Sequence, residues 1–582
     1  MASIELLKTG RQTTTELDRA VAACRSAAWV LALFSLASNL LMLASPLYML
    51  QVYDRVMVTG AVETLVMLTA MAAVALLVFG LLDAMRSAIT VRMSCWLSER
   101  LGPVYLANGV RARLLGDGYG AQSLRDLQSV QNFVASPAVG VFFDAPWSPI
   151  YLMLSWMLHP WLGILAVASA VLLLGLGAAN EYLTRTPTMT ASLAQISATK
   201  MAEATVRNAE VVRAMGMLPA MIARWRDSNA VGTAAQQRAA ERGALLIGIT
   251  KFVRFFVQSA TLGLGAYLVL QGQLSAGGMI ASSILLGRAL QPVEAAMGAW
   301  RNFGMARIAY GRLRAHLQGM PEEPVRTRLP APEGVLTLRN ATFVPPGTRV
   351  PVLRGVSFEA HPGEALAVIG PSAGGKSTLC RLLVGIAEPS SGEVRLDGSE
   401  LRHWNPEELG RHIGYLPQDV ELFAGTIRDN IARMGDVDDE AVVEAAMLAH
   451  AHEVIQRLPQ GYDTTIGEGG IRLSGGQRQR IGLARAVYRV PRLIVLDEPN
   501  ANLDTVGEAA LAAAIDEMKR RGCTLLIVGH RPSTIAQADR ILLLKDGRVE
   551  LIGPRDEVLK RLRKVSASGT EPEKAGAEAQ SA

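Results

Sequence analysis

Long apolar runs crowd the first half of the chain, whereas the second half alternates short β-rich runs with helical ones. Six apolar segments stand out before residue 300, at 28–50, 64–82, 138–158, 161–179, 255–270 and 279–297. Most approach the roughly 20 residues an α-helix needs to cross about 30 Å of hydrocarbon. The fifth is shorter, and its helix is expected to begin near Gly243. One such run alone fits a buried helix of a soluble protein; six in series predict an all-α membrane domain. Charge between the runs sets the orientation. The loop after the second carries Arg92, Arg100, Arg111 and Arg113, and the loop after the fourth carries Arg185, Lys200, Arg207, Arg213, Arg224 and Arg226. The joints on the other side are short and nearly uncharged, His159 and Pro160 among them. The positive excess places both long loops and both termini in the cytosol. Their helical pattern predicts two hairpins reaching well below the membrane.

Composition sharpens this picture. At 582 residues the chain is too long for one core, so two or more domains are expected. Apolar residues make up 50% and charged ones 19%, with the apolar excess confined to the first half. A net charge of +6 could suggest nucleic acid, but the basic residues flank apolar runs. Membrane lipid is therefore the expected surface partner, and no nucleic acid. The first 25 residues are polar and the first apolar run is too long for a leader, so no cleavable signal is expected. Cys24, Cys95, Cys380 and Cys523 lack pairing or metal spacing, and two fall in cytosolic regions, which argues against a disulfide framework.

Charges near the spans carry their own expectations. Lys251 and Arg254 are expected to snorkel to the cytosolic interface. Arg288, counted from Gly278, lies about 15 Å deep, where an arginine needs a partner or a wet cavity. Glu294 is one candidate partner, and Asp144 a second cavity-facing charge; a polar pathway and purely structural pairing both remain open. Pro146, Pro149 and Pro292 are expected to bend their helices.

The second half carries chemistry. Gly370, Pro371, Ser372, Ala373, Gly374, Gly375, Lys376, Ser377 and Thr378 follow the apolar run Ala365–Ile369 and precede a helical run at 379–384. Strand, glycine loop, helix is the context in which GxxxxGK[ST] cradles phosphates. The glycines let backbone N–H groups turn inward, and the helix adds the positive end of its dipole. Lys376 is placed to reach the β- and γ-phosphates, and the Ser377 hydroxyl to ligate Mg²⁺. Leu493–Asp497 is an apolar strand ending in Asp497 and then Glu498. Asp497 suits Mg²⁺ through water, and Glu498 is placed to orient or deprotonate the attacking water. Ser474, Gly475, Gly476 and Gln477 open a helix at 478–487 and form a second anion-binding end. His530, just beyond the apolar strand Thr524–Val528, is placed to contact the γ-phosphate.

Together these residues resemble the ATP-binding cassette (ABC) superfamily, and within it exporters with six spans followed by one cassette. The resemblance implies that Gln418, in Tyr-Leu-Pro-Gln-Asp, contacts Mg²⁺ and the lytic water. It also implies that Asn502, Leu503 and Asp504 form the D-loop and that His530 is the switch histidine. The run at 421–431 and the loop at 467–470 look like segments that meet membrane helices, with coupling segments near 123–127 and 208–216. The runs at 45–56, 144–147, 287–290 and 497–504 are further similar to type I secretion exporters lacking an N-terminal peptidase-like domain. Those family members export unfolded proteins such as metalloproteases, haemophores, lipases and surface-layer proteins, each bearing a C-terminal signal. They act as homodimers with a periplasmic adaptor and an outer-membrane channel in the bacterial inner membrane. The chain departs from many exporters where a tyrosine stacks on adenine: Pro345 stands there, and Phe343 is expected in the core.

The expected fold is multi-domain, an all-α six-helix transmembrane domain of ABC exporter type followed by an α/β P-loop cassette. Its parts are a cytosolic segment 1–27, the six-span domain 28–318, a linker 319–332, the nucleotide-binding domain 333–564 and a disordered tail 565–582. ATP and Mg²⁺ are the expected cofactors. Glu498, His530 and Gln418 are the expected catalytic residues, and ATP hydrolysis drives export at two composite sites of a homodimer. An exporter of lipid, drug or peptide shares every catalytic residue; a soluble ABC ATPase is disfavoured by the six apolar segments.

Overall fold

A computed structural model describes residues 15–116, 119–319, 326, 328–467, 470–501 and 503–568. The chain divides into two compact units, Met1–Pro321 and Glu322–Ala582. Parts of two expected segments, Glu468 with Gly469 and Asn502, lie outside the described residues, as does most of the expected tail. Its first four residues, 565–568, belong to the helix Arg555–Ser568.

The described residues of the first unit form helices and no strands. It begins with Glu16–Ala23, started by a capping box in which Thr15 and Asp18 satisfy each other's backbone N–H. Val62–Leu114 and Leu218–Leu270 each run 53 residues, and Pro160–Arg207 runs 48. At 1.5 Å per residue they are about 70–80 Å long, more than twice the hydrocarbon thickness. The fifth apolar segment thus sits in a helix that starts 25 residues before Gly243.

Among the described residues four helical runs are long and apolar enough to cross a membrane, namely Glu16–Thr59, Val62–Leu114, Pro160–Arg207 and Leu218–Leu270. The third expected span is broken into Ala138–Asp144, a 3-10 turn Ala145–Trp147 and Ser148–Leu158. Pro146 and Pro149 cause the break, because proline lacks the N–H an α-helix needs. The sixth lies inside Ala276–Gly319, where glycines, serines and Arg288 dilute its apolar character. Pro292 sits within that continuous helix, as Pro103 and Pro187 do in theirs.

Polar ties between helices set their register. Asp144 accepts from Arg86 Nη2 at 3.0 Å, Ser35 Oγ at 2.6 Å and Asn39 Nδ2 at 3.1 Å. Asp54, in the π-helical turn Val52–Val56, accepts from Ser275 Oγ at 2.6 Å and from the Gly277 N–H at 2.8 Å. It thereby caps the start of Ala276–Gly319 from a different helix. Gly277 is required at that contact, since a Cβ would lie 2.7 Å from the Leu50 carbonyl. One expectation about charges fails. Glu294 pairs with Arg254 on the neighbouring helix and does not serve Arg288. Arg288 instead donates to Gln291 Oε1 at 3.1 Å, one turn along its own helix.

At the other end of this unit the helix Gly120–Val134 contains the first expected coupling segment. Its Asp126 is 2% exposed and is gripped by Arg312 through Nε–Oδ2 at 2.7 Å and Nη2–Oδ1 at 2.6 Å. The Tyr119 hydroxyl donates to the same carboxylate. The second expected coupling segment contains the short helix Ala209–Ala214, which lies between Pro160–Arg207 and Leu218–Leu270.

The second unit is α/β. Its six-stranded sheet has the order β12-β11-β3-β10-β9-β6, where β3 is Ala365–Ile369, β6 Ile413–Leu416, β9 Leu493–Asp497, β10 Thr524–Val528, β11 Arg540–Lys545 and β12 Arg548–Pro554. All neighbours are parallel except β11 and β12. β9 and β10 are buried at every position, the continuous apolar pattern of a parallel sheet covered on both faces. Alternate residues feed two cores: Ile494, Leu496, Leu525 and Ile527 face one, and Leu493, Val495, Leu526 and Val528 the other. A four-stranded antiparallel sheet of order β2-β1-β4-β5 lies alongside, with β1 Leu336–Phe343, β2 Leu353–Ala360, β4 Ser391–Leu396 and β5 Ser399–Glu400. Phe343 is half-buried against the second core, as expected.

Removing one partner of a buried ion pair costs about 3–5 kcal/mol, because the other charge is left unpaired. Asp126→Ala is therefore expected to lower the thermal unfolding midpoint of the detergent-purified protein markedly. An unchanged midpoint would show that Arg312 holds nothing in place.

Candidate nucleotide site

Sheet order positions the site. β10 lies between β3 and β9, with Val528 opposite both Val368 and Asp497, and Leu416 of β6 lies opposite Leu496. The carboxyl ends of four adjacent parallel strands therefore present the loop after Ile369, His530, Asp497 with Glu498, and Gln418 along one edge. That edge is where ligands bind in open α/β sheets.

The loop from Gly370 to Gly375 folds as its residue types require. Gly370 has φ 154° and a Cβ there would sit 2.0 Å from the Leu544 carbonyl oxygen, so only glycine fits. Gly375 at φ 95° is the N-cap of the helix Lys376–Leu383. Ala373 adopts the left-handed region at φ 62°, a conformation that costs a non-glycine residue about 1–3 kcal/mol and is typical of ligand clamps. Lys376 Nζ donates to the carbonyls of Gly370 and Pro371 at 2.9 Å each, which holds its charge over the loop. Pro371, Ser372 and Ala373 are exposed, whereas Gly374 and Gly375 are buried.

Asp497 is 2% exposed, and its Oδ1 has no hydrogen-bond partner. Burial pushes its pKa up, the Ser377 hydroxyl bond opposes this, and the neighbouring Glu498 carboxylate adds to it. A buried, underused carboxylate oxygen beside a hydroxyl suits a hard dication that retains its waters. The residues present therefore fit Mg²⁺. Glu498 also lies in the left-handed region, at φ 49°, with its N–H donating to the Val528 carbonyl at 3.0 Å. Its Oε2 accepts from Gln418 Nε2 at 3.2 Å, so these two expected catalytic side chains meet. His530 is exposed at the end of β10.

Ser474 and Gln477 serve their own helix. They form a capping box at the start of Gly475–Val487, with Gly476 in the first turn. Among the described residues no hydrogen bond joins this end to the phosphate loop. Asp504 caps the helix Thr505–Arg520, accepting from the Gly507 N–H at 2.7 Å, and pairs with Arg480 at 3.4 Å. Thr378 lies inside the helix that follows the phosphate loop.

Two residues within Gly475–Val487 escaped the sequence reading. Gly482 lets the segment after Gln418 approach closely, since a Cβ would lie 2.6 Å from Val420 Cγ1. Arg485 donates to the Glu421 carbonyl at 3.0 Å and its guanidinium lies 5.8 Å from the Phe423 ring centre. Arg433 completes the lock through the carbonyls of Arg485 and Ala486 at 3.1 and 3.2 Å. Burial lowers the pKa of both guanidinium groups, so these carbonyls support charges taken out of water. Nothing in the sequence separates Gly482 or Arg485 from ordinary residues of an amphipathic helix.

A family model described as ABC transporter matches residues 353–501, and one described as ABC transporter transmembrane region matches residues 121–293. The type I secretion system ATP-binding protein PrsD of Rhizobium meliloti is 41% identical over 92% of this chain and 93% of its own. The chain belongs to the type I secretion ABC transporter family. The exporter is also 31% identical to the toxin RTX-I translocation ATP-binding protein of Actinobacillus pleuropneumoniae, over 89% of this chain and 74% of that one. It is 32% identical to the cyclolysin secretion/processing ATP-binding protein CyaB of Bordetella pertussis, over 90% and 75%. The structure of a bacterial Atm1-family ABC exporter with ATP bound shares the fold, with a TM-score of 0.79 at 24% identity over 95% of this chain and all of that one. The exporter is thus a membrane-embedded ATPase that couples nucleotide hydrolysis to transport as the ABC component of a type I secretion system.

Because burial raises the Asp497 pKa, the folded state binds that proton more tightly than the unfolded chain does. The stability this adds is full below the unfolded value and is lost as pH rises from there through the higher folded one, so the ionised carboxylate is a burden at neutral pH. Asp497→Asn should raise the thermal midpoint of nucleotide-free protein and abolish hydrolysis; a lowered midpoint would contradict the burden. Gly482→Ala should drive Val420 and the Gln418 segment away from Glu498. Small displacements of positioning groups cost about 10- to 100-fold in rate, so kcat should fall while nucleotide affinity, read by fluorescent-analogue titration, stays.

Proposed function

We propose that this exporter works as a homodimer in the bacterial inner membrane, with its ATPase unit and both termini cytosolic, and moves an unfolded polypeptide bearing a C-terminal signal. The near full-length identity to PrsD carries the reading. Relatives whose names describe toxin translocation and cyclolysin secretion support a polypeptide cargo. A periplasmic adaptor and an outer-membrane channel complete the route.

Each side chain of the site takes a role in this reading. Backbone N–H groups of residues 370–378 and the Lys376 ammonium bind the phosphates. Ser377, Gln418 and, through water, Asp497 would hold Mg²⁺, which supplies charge neutralisation between the β- and γ-phosphates. Glu498 orients and takes a proton from the attacking water, and Gln418 fixes the Glu498 carboxylate at 3.2 Å. His530 contacts the γ-phosphate from the end of β10. Ser474, Gly475, Gly476 and Gln477 present a helix N-terminus to the nucleotide held by the partner subunit, with Asp504 beside it. The γ-phosphate is bound across the interface only when the two subunits close, which is the differential contact that drives the cycle. Hydrolysis separates them.

Glu498→Gln should keep nucleotide affinity, lose about 10²- to 10⁴-fold in hydrolysis, and trap a dimer visible by size-exclusion chromatography. Lys376→Ala should weaken nucleotide binding instead. Deleting the gene should remove one protein from the culture medium, and Glu498→Gln should fail to restore it. A monomer hydrolysing ATP at full rate at every protein concentration would end the composite-site reading.

A further inference from the structure

His530 is exposed just past β10, and among the described residues its imidazole has no hydrogen-bond or ionic partner. The backbone on either side must therefore fix where the ring sits. On the near side the Gly529 N–H donates to the Val368 carbonyl at 3.3 Å. On the far side stands the short helix Pro532–Ala536, whose Thr534 is 3% exposed. Thr534 folds back over Gly529, where a Cβ would lie 3.3 Å from its Cγ2. His530 thus occupies the crest of a tight loop closed by a glycine and a threonine.

A second loop is fastened to the first. The Glu498 N–H donates to the Val528 carbonyl at 3.0 Å, and the Ala501 N–H to the Glu498 carbonyl at 3.1 Å, so residues 498–501 form a turn. Within that turn Asn500 is 2% exposed, and its Nδ2 donates to Thr534 Oγ1 at 2.9 Å. The bonds Glu498–Val528 and Asn500–Thr534 close a ring of chain that carries both Glu498 and His530. An outer tie runs alongside: Ser533 Oγ donates to Glu508 Oε2 at 2.7 Å, and Arg531 pairs with the same carboxylate. Partly exposed ion pairs of that kind are screened by solvent. A buried amide–hydroxyl bond is costly to leave unmade, so the inner tie holds the ring.

Given the γ-phosphate contact proposed for His530, we infer that Asn500 is a positioning residue for hydrolysis. Through Thr534 it holds His530 at a set distance from Glu498, and so aims both at the same phosphate. Residues 370–378, which bind the nucleotide, lie outside the ring. Loosening the ring should therefore slow the chemical step and spare binding, whereas a bond that served packing alone would change the thermal midpoint and leave kcat in place.

The test uses the full-length detergent-purified protein, with kcat and KM for ATP and the affinity of a fluorescent nucleotide analogue. Asn500→Ala should lower kcat about 10- to 100-fold, the cost of a misplaced group, with KM and analogue affinity unchanged. Thr534→Val keeps the shape and removes the acceptor, so it should reproduce that loss and tests the same bond should Asn500→Ala not fold. Thr534→Ser retains the hydroxyl and should recover most of the rate. Added to His530→Ala, Asn500→Ala should lower kcat no further than about twofold, because the two act as one unit. An unchanged kcat in Asn500→Ala and Thr534→Val, or losses that multiply in the double variant, overturns the positioning role while leaving the histidine contact standing. His530→Ala hydrolysing at the wild-type rate would overturn the contact itself, and the positioning role with it.

Discussion

A carboxylate taken out of water with half its hydrogen-bonding capacity unused is the constraint on which the catalytic unit depends. Asp497 ends a strand whose five residues are all buried, so the sheet must supply the apolar burial that offsets this one charge. Five parallel strands stacked between two cores do so, and their shared direction brings the other polar groups to the same edge. The cost of keeping Asp497 unpaired is stored where a dication is wanted. Strain at Ala373 and Glu498 follows the same logic, since both residues hold left-handed backbone where phosphate chemistry requires the chain to turn.

The helical unit solves a different problem with the same device. Its long helices have little to register them by hydrophobicity alone, since lipid is as apolar as a neighbouring leucine. Acidic side chains supply the register instead. Asp144 fastens three helical runs, Asp54 caps the last helix from the first, and Asp126 locks a short helix to Arg312. Each of the three carboxylates joins segments more than 50 residues apart in the chain, so a single charge fixes a whole helix pair.

Motif chemistry was legible and partnership was not. Strands Ala365–Ile369, Leu493–Asp497 and Thr524–Val528 were read to the residue because continuous apolar runs bounded by glycine or carboxylate have few alternatives. The phosphate loop was equally plain, since its glycines serve close backbone approach. Span boundaries were less so: proline and arginine inside runs 138–158 and 279–297 break or dilute them in ways hydropathy blurs. Pairing was invisible. Glu294 finds Arg254 rather than Arg288 because the choice depends on which helices are neighbours, which no single-chain pattern encodes.

Gly482 and Arg485 show where such hidden contacts matter most. The helix they belong to starts at the capping box of Ser474, and its flank grips Val420 and the Glu421 carbonyl. Between those two anchors and Glu498 stands only Gln418. A rigid rotation of that helix must therefore drag the glutamine, and with it the carboxylate that addresses water. In the proposed homodimer the start of the helix touches nucleotide on one side of the interface while its flank controls Glu498 on the other. In that homodimer the close approach of Gly482 to Val420 and the Arg485 bond to the Glu421 carbonyl would form the path between the two sites.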